Sequence, residues 1–484
     1  MSKKTIQLDA KGHRKFGMLD KLAYAAGDAG CNLSFGLKGT VQTFWLVYMA
    51  METGVLSALL LLVQAWDAIN DPIIGAMIDA DTRKYKMGKF KTYIFIGALG
   101  LIVGGAAVFM PFPGANTVVK AILFIVGYVI WDAAYTMANV PYGSMLSLVT
   151  EDAGERAQLS SWRSIGGAVG NVLPGIILPM IIWKDVHDEN GELLGQELLG
   201  DRVFIAALLM GILAFGFFWF MIKKITLRVD EYSVKTGEEA PKFNVKQAFV
   251  NFMKNRPAVG ATIAAMGMFL GMQSATTANA IMFATYFKNA QMSGLVMMVG
   301  FAPMFIFIPF IKKLVNRFGK KEAATAGTVV SVFGALVMCV FPLVDVSIAL
   351  IVYMVGLVLF GLGMGVYTCI SWAMMADAID YAEWKFGKRE EGTVYSLHSF
   401  FRKLAQGIGP SIVIALLGVL GYVEELSTTG QSPEMAYKAC WLVAGLYLFS
   451  AVTQLIGIGV IYNLDKKTMA QMTAELNERR NANK

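Results

Sequence analysis

Residues 59–91, LLLLVQAWDAINDPIIGAMIDADTRKYKMGKFK, decide the fold of this chain. An apolar run able to cross a hydrocarbon layer about 30 Å thick ends in a loop holding Arg83, Lys84, Lys86, Lys89 and Lys91. That is the pattern of a membrane helix emerging on the cytoplasmic side. Inside the run stand Asp67 and Asp71, four apart on one helical face, with Asn70 beside them. A charged side chain at the centre of a span costs about 2.5–3.5 kcal/mol on insertion scales, so acids kept there mark a functional site. Pro72 removes one backbone donor and frees a carbonyl nearby. Two carboxylates, an amide oxygen and a free carbonyl form a hard-oxygen cage for a small cation. The competing reading is that these acids pair with basic residues of neighbouring helices.

The rest of the chain has the same character. Of 484 residues, 56% are hydrophobic and only 16% are charged, where soluble domains carry about 25%. Mean hydropathy is +0.54, and the 49 glycines suit close helix approach in lipid. A soluble enzyme is excluded. The first twenty residues are polar and basic and lack the apolar core of a secretory signal, so no cleaved leader is expected. Cys31, Cys339, Cys369 and Cys440 lie in apolar stretches without a CxxC pair, which argues against a disulfide framework, a zinc site or any other cofactor. The net charge of +7 is spread over short loops with no aromatic-basic module, so nucleic acid is not an expected partner. A membrane-embedded transferase or hydrolase would need a nucleophile-base pair or a metal cluster, and of the three histidines, His13, His187 and His398, just one falls in a span, which argues against that reading.

Twelve segments are long and apolar enough to span: 22–49, 54–79, 92–111, 117–148, 158–183, 202–223, 258–287, 292–311, 323–343, 347–376, 393–421 and 437–463. The alternate loops and the termini on one side hold 33 lysines and arginines, the opposite side five. Both termini are therefore placed in the cytoplasm, and the plain multi-pass topology suits a bacterial inner membrane. The expected class is an all-α integral membrane protein of two six-helix halves. A cytoplasmic N-terminus (1–21) precedes the first bundle (22–222); a cytoplasmic linker (223–256), the second bundle (257–463) and a cytoplasmic tail (464–484) follow. The halves echo each other: Gly88 and Gly319 are 231 residues apart in similar basic loops, and Arg156 and Arg389 are 233 apart. Twelve spans in two related halves is a transporter design of the major facilitator superfamily.

Further polar residues line these spans. In YVIWDAAYTMANVPYGSML, Asp132, Thr136, Asn139 and Gly143 recur on one helical stripe, as in a cavity wall. Thr136 can lend an oxygen to the cation and Asn139 can bond a polyol through both amide atoms. Asp28 and Asn32 share a face of the first span, where an unpaired acid would accept two sugar hydroxyls. Lys38 lies ten residues on, about 80° around a continuous helix, and has no evident role. Arg402 and Lys403 are adjacent in YSLHSFFRKLAQGIG, and point about 100° apart; His398 precedes them as packing or proton carrier. Four intramembrane acids, Asp28, Asp67, Asp71 and Asp132, face four bases, Lys38, Arg163, Arg402 and Lys403, a balance that suits charges re-paired by a coupling ion. Trp131, Tyr135, Tyr142 and Trp372 are candidates to stack on a sugar ring, although aromatics in spans usually pack.

With these residues in hand, the chain resembles the glycoside-pentoside-hexuronide:cation symporter family, of which the melibiose permease is the familiar member. WDAINDPIIG, RKYKMGKFK, YTMANVPYGSML, ERAQLSSWRS and MADAIDYAEWKFGKREEG carry the likeness, from about Asp28 to Pro410. The resemblance implies sugar uptake coupled to sodium, lithium or protons by alternating access. It places the cation ligands on Asp67, Asn70, Asp71 and Thr136, and sugar contacts on Asp28, Arg163 and Lys403. Three positions depart from the melibiose permease pattern: Asn139 replaces a sugar-binding acid, and Gly143 and Thr368 replace tryptophans. Asp132 stands where that pattern has glycine and is counted with the sugar residues, as are Asn32, Thr368, Trp372 and His398. Melibiose specificity does not transfer. The expected partners are a sugar or glycoside, a coupling cation (sodium or proton) and the lipid bilayer, with the monomer as the working unit. The rivals are a carrier for an anionic sugar such as a hexuronide or another organic acid, and an uncoupled facilitator.

Overall fold

The computed structural model describes residues 14–150, 153–228, 245–307, 310–387, 391–426 and 430–482. They form two compact units, one within Met1–Lys184 and Glu197–Glu239, the other within Asp185–Gln196 and Ala240–Lys484.

The first unit contains α1 (Met18–Phe35), α2 (Lys38–Thr43), α3 (Thr53–Ala80), α4 (Lys89–Val108), α5 (Thr117–Ser144), α6 (Leu146–Val149), α7 (Ala153–Ile182) and α8 (Gly200–Lys224). Small residues set their spacing. A Cβ on Gly104 of α4 would stand 2.5 Å from Trp131 Cα of α5, and one on Gly166 of α7 would stand 2.0 Å from the Ala25 carbonyl of α1. Only glycine lets these backbones touch, and in lipid, where apolar burial does not drive helices together, such contact supplies the attraction. Ile205, Leu209, Ile212 and Leu213 on α8 stay exposed, as a lipid-facing surface requires.

At the end of this unit, Asp20 is fully buried and takes Arg14 at 2.6 Å and Arg228 at 3.0 Å. Arg228 also donates to the carbonyls of Arg14 and Val149, so one guanidinium ties three chain segments. The Asp81 carboxyl, just past α3, is held down at about 2 by hydrogen bonds from the Tyr85 hydroxyl, the Arg83 amide and the Tyr93 hydroxyl. It stays ionised throughout the physiological range.

The second unit holds α9 (Val245–Lys254), α10 (Arg256–Thr285), α11 (Met292–Phe301), α12 (Ile311–Phe318), α13 (Lys320–Met338), α14 (Val346–Phe386), α15 (Glu391–Val419), α16 (Pro433–Leu455) and α17 (Lys466–Ala482). Asn255 caps α10 by accepting from Ala258 N, and Ser432 caps α16 from Met435 N ahead of Pro433. The tail helix α17 is anchored by Trp384 Nε1 donating to Glu475 at 2.7 Å, and by Arg479 donating to the Trp384 carbonyl at 3.0 Å.

Among the described residues nine helices are long and apolar enough to cross a membrane, and Thr53–Asp67 and Met292–Met304 are shorter apolar stretches. The structure departs from the expected segments for local reasons. The first span is interrupted, α1 ending at Phe35 and the chain restarting at Lys38. The eighth tightens into a 3-10 turn at Ala302–Phe307, where Pro303 lacks an amide hydrogen. The tenth runs on to Phe386, well past residue 376, and in this extension Asp377 is paired with Lys320 at 2.6 Å. The fold is all-helical as expected, with one small addition among the described residues: Trp183–His187 (β1) and Leu193–Leu198 (β2) pair as a hairpin. Its turn is built on Asp188 Oδ1, which accepts from Asn190 N and Glu192 N, and on Gly191 at φ +82°. Residues 185–196 of this hairpin group with the second unit, where the 22–222 division had them in the first.

The internal echo reappears in the backbone. Gly88 has φ +91° and ψ +156° at the cap of α4; Gly319 has φ +106° and ψ +161° at the cap of α13. This region is essentially closed to residues with a Cβ and costs about 1–3 kcal/mol. Gly88→Ala and Gly319→Ala are each expected to lower stability by about that amount, read as a fall in the thermal midpoint of the detergent-purified protein.

Candidate functional site

The polar residues of the first unit fall into two groups. The first joins α1 to α7. Arg163 Nε donates to Asp28 Oδ1 at 2.9 Å, Asn32 Nδ2 donates to Asp28 Oδ2 at 3.0 Å, and Asn171 Nδ2 donates to Asn32 Oδ1 at 2.6 Å. The small face of α7 makes this ladder possible, because a Cβ on Gly167 would lie 2.5 Å from Asp28 Oδ2 and one on Gly170 would lie 2.5 Å from the Ala29 carbonyl. Arg163 is also stacked over the Tyr142 ring at 5.2 Å, and Tyr142 donates to the Tyr24 carbonyl at 2.8 Å. Asp28 is therefore not the unpaired acid expected from the sequence. Each of its oxygens has one protein donor and a further lone pair to offer. Asn171 was not anticipated: the amide eight residues after Arg163 on the same span was the available signal, and its partner on another helix was not.

The second group joins α3 to α5. Asn70 is buried and donates Nδ2 to Asp132 Oδ2 and to Thr136 Oγ1, both at 3.1 Å. That fixes the amide's orientation and leaves Oδ1 as the atom able to meet a cation. Asp132 and Thr136 are themselves buried, one turn apart on α5. Asp67 lies one turn before Asp71 on α3 and receives Gln64 Nε2 at 3.5 Å; the Asp71 side chain lies outside the described residues. Asp132, counted with the sugar residues as an acid where the melibiose permease pattern has glycine, stands in the structure with Asn70 and Thr136. Asn139 is half-buried farther along the same helix.

The remaining candidates belong to the second unit. His398 is buried on α15 with Nδ1 at 2.8 Å from Thr262 Oγ1 of α10, an arrangement of packing rather than of free exchange. Its ring meets Trp372 of α14 edge-on at 5.7 Å, and Arg402 lies over the rings of Phe269 at 5.2 Å and Trp372 at 5.9 Å. Trp372 is half exposed, and Thr368 and Lys403 are exposed. Among the described residues no cluster of three histidines, cysteines or acids could hold a metal. The oxygens available to an ion come instead from carboxylate, amide and hydroxyl, the hard donors that suit an alkali cation.

A sequence model of the MFS/sugar transport protein family matches residues 23–466. The uncharacterized symporter YjmB of Bacillus subtilis (strain 168) is 28% identical over 490 residues, covering 99% of each chain. The isoprimeverose transporter of Lactiplantibacillus pentosus is 26% identical over 469 residues, 95% of this chain and 91% of its own. Among solved structures, the nucleoside transporter NupG is alike in fold at 14% identity, with a TM-score of 0.57 over 91% of this chain and 99% of its own. The chain belongs to the MFS/sugar transport protein family, as a membrane transporter of the glycoside-pentoside-hexuronide symporter type rather than an enzyme.

Proposed function

We propose that this protein takes a sugar or glycoside into the cell in symport with a cation, by alternating access. The observation that carries the reading is the buried Asn70–Asp132–Thr136 cluster on the helices that hold Asp67 and Asn139, in the same unit as the Asp28–Arg163 ladder. Asp67, Asn70, Asp71 and Thr136 hold the cation. Sodium is the favoured ion, since a bare proton carrier needs neither the amide nor the hydroxyl. Asp28, Asn32, Asn139 and Arg163 bind the sugar; Thr368, Trp372, His398 and Lys403 are proposed as further contacts from the resemblance. Cation binding neutralises the acids and orders α5, which raises sugar affinity, and by linkage sugar raises cation affinity equally. Twelve spans, two cytoplasmic termini, an inner-membrane location and a monomeric working unit complete the proposal.

The pairing of Arg163 with Asp28 favours a neutral sugar over a hexuronide. Its guanidinium already has a carboxylate at 2.9 Å, and a second acid at that place would meet the first as a like charge. The free lone pairs of Asp28 instead suit hydroxyl donors.

Uptake of labelled galactosides, glucosides, xylosides and glucuronides into proteoliposomes tests the function. Accumulation of a neutral glycoside under an imposed sodium gradient is expected; equal uptake in sodium and in choline at fixed pH would remove sodium, and downhill flux alone would make the protein a facilitator. Asp67→Cys is expected to abolish accumulation against a gradient, and a variant that still concentrates substrate would leave the acid without its role. Gly167→Val drives a side chain into Asp28 and disturbs its charge-assisted bonds, each worth about 1.5–3 kcal/mol. The sugar KM is expected to rise about tenfold or more with sodium affinity unchanged.

A further inference from the structure

Asn171 ends the ladder between α1 and α7, beyond the residues assigned to the sugar. The direction of each amide bond in that ladder is fixed from the Asp28 end. A carboxylate only accepts, so the Asn32 group facing it is Nδ2, which donates to the Asp28 carbonyl at 2.9 Å and to Asp28 Oδ2 at 3.0 Å. That turns Asn32 Oδ1 towards α7, where it accepts from Asn171 Nδ2 at 2.6 Å. Asn32 then has no donor left, and the free acceptor at the end of the ladder is Asn171 Oδ1. Among the described residues no protein donor takes that oxygen, and the side chain is half-buried rather than sealed. Close packing holds this end in place. A Cβ on Gly170 would stand 2.8 Å from Asn32 Cβ, and one on Gly36 would stand 3.4 Å from the Asn171 carbonyl. Hydrogen bonds in a chain polarise one another, so an amide that donates towards the acid becomes a better acceptor at its own oxygen.

We infer that Asn171 is a specificity-determining residue of the sugar site: its Oδ1 accepts from one hydroxyl of the sugar while the lone pairs of Asp28 accept from another. The inference rests on the sugar reading of Asp28 and Arg163. Asn32, which carries Asn171, is one turn beyond Asp28, about 6 Å along α1. That step is comparable with the separation of hydroxyls on opposite sides of a six-membered sugar ring. A hydroxyl brings the hydrogen that the Asn171 oxygen needs. A carboxylate or sulfonate brings only lone pairs, so this end of the ladder selects a neutral polyol.

Calorimetric binding of methyl galactoside, methyl glucoside and methyl xyloside to the purified full-length protein in sodium chloride tests this, each sugar beside its monodeoxy and deoxyfluoro analogues. For a sugar that binds, loss of one particular hydroxyl should cost about threefold to tenfold in affinity. Fluorine in its place should restore nothing, since fluorine cannot donate. In Asn171→Leu and Asn171→Ala the parent sugar should weaken by that factor, and the matching deoxy analogue should weaken no further. Parent and all analogues weakened alike in both variants overturns the proposal, because the residue would then act only by holding Asn32. A fluorine that restores affinity also overturns it, since the protein group would then be a donor. Fewer than two sensitive hydroxyls in the unaltered protein overturns it without any variant. Asp28→Asn separates this role from the site itself. Sugar affinity that falls in Asp28→Asn but not in Asn171→Leu or Asn171→Ala removes Asn171 alone; affinity that ignores Asp28→Asn, or no binding of any of the three sugars, removes the sugar site.

Discussion

The structure is governed by the cost of charge in hydrocarbon. Asp28, Asp67 and Asp132 lie in helices that also present exposed isoleucine and leucine, for example Ile69 and Ile73 on α3 and Ile130 on α5. An acid in such a helix persists only if its own face is turned inward to donors. Arg163 and Asn32 provide them for Asp28, with Asn171 holding Asn32 in turn, and Asn70 does so for Asp132. The same rule is met in α14, where the buried Asp377 is paired with Lys320. Polar chemistry here is an obligation of the solvent before it is a property of a ligand.

That obligation is met by helices packed close enough for short side chains to reach across. The glycines of α7 bring Arg163 and Asn171 to α1, and Gly104 seats α4 on Trp131, one residue from Asp132. In the second unit a Cβ on Gly363 of α14 would stand 2.1 Å from the Gly327 carbonyl of α13. Backbone contact of this kind is directional and leaves little slack, which suits a site built from two or three hydrogen bonds of defined geometry.

Much of this was legible in the sequence, because lipid demands long apolar runs and basic loops, and both are counted without knowing any contact. The acids of WDAINDPIIG and the stripe Asp132–Thr136 were visible for the same reason: a four-residue step is the period of a helix. Where the reading depended on a partner from another helix it stopped. Asn171 looked like an ordinary amide until Asn32 faced it, Asp28 looked unpaired until α7 brought Arg163, and Asp132 was grouped by its stripe although Asn70 claims it. Breaks in helices were also hidden. Nothing in SFGLKGT announces a stop, yet Gly36 is where a Cβ would press on Pro174 at 3.1 Å, a crowding that only the fold creates. The hairpin after α7 escaped notice because its strands are five and six residues long and its turn resembles any polar loop.

The stop at Gly36 has a mechanical side. Asp28 and Asn32 ride on α1, while Lys38 rides on α2, and between the two pieces lie only Gly36 and Leu37. Both keep right-handed helical dihedrals, Gly36 at φ −61° and ψ −18° and Leu37 at φ −78° and ψ −11°, so the chain holds its course through the step. A continuous helix would transmit every rotation of Asp28 to Lys38 as a rigid shaft does. Here the shaft is slackened by one turn but not cut, because Gly36 N still bonds the Asn32 carbonyl and Val41 N the Leu37 carbonyl, so a turn of the first piece carries the second with it.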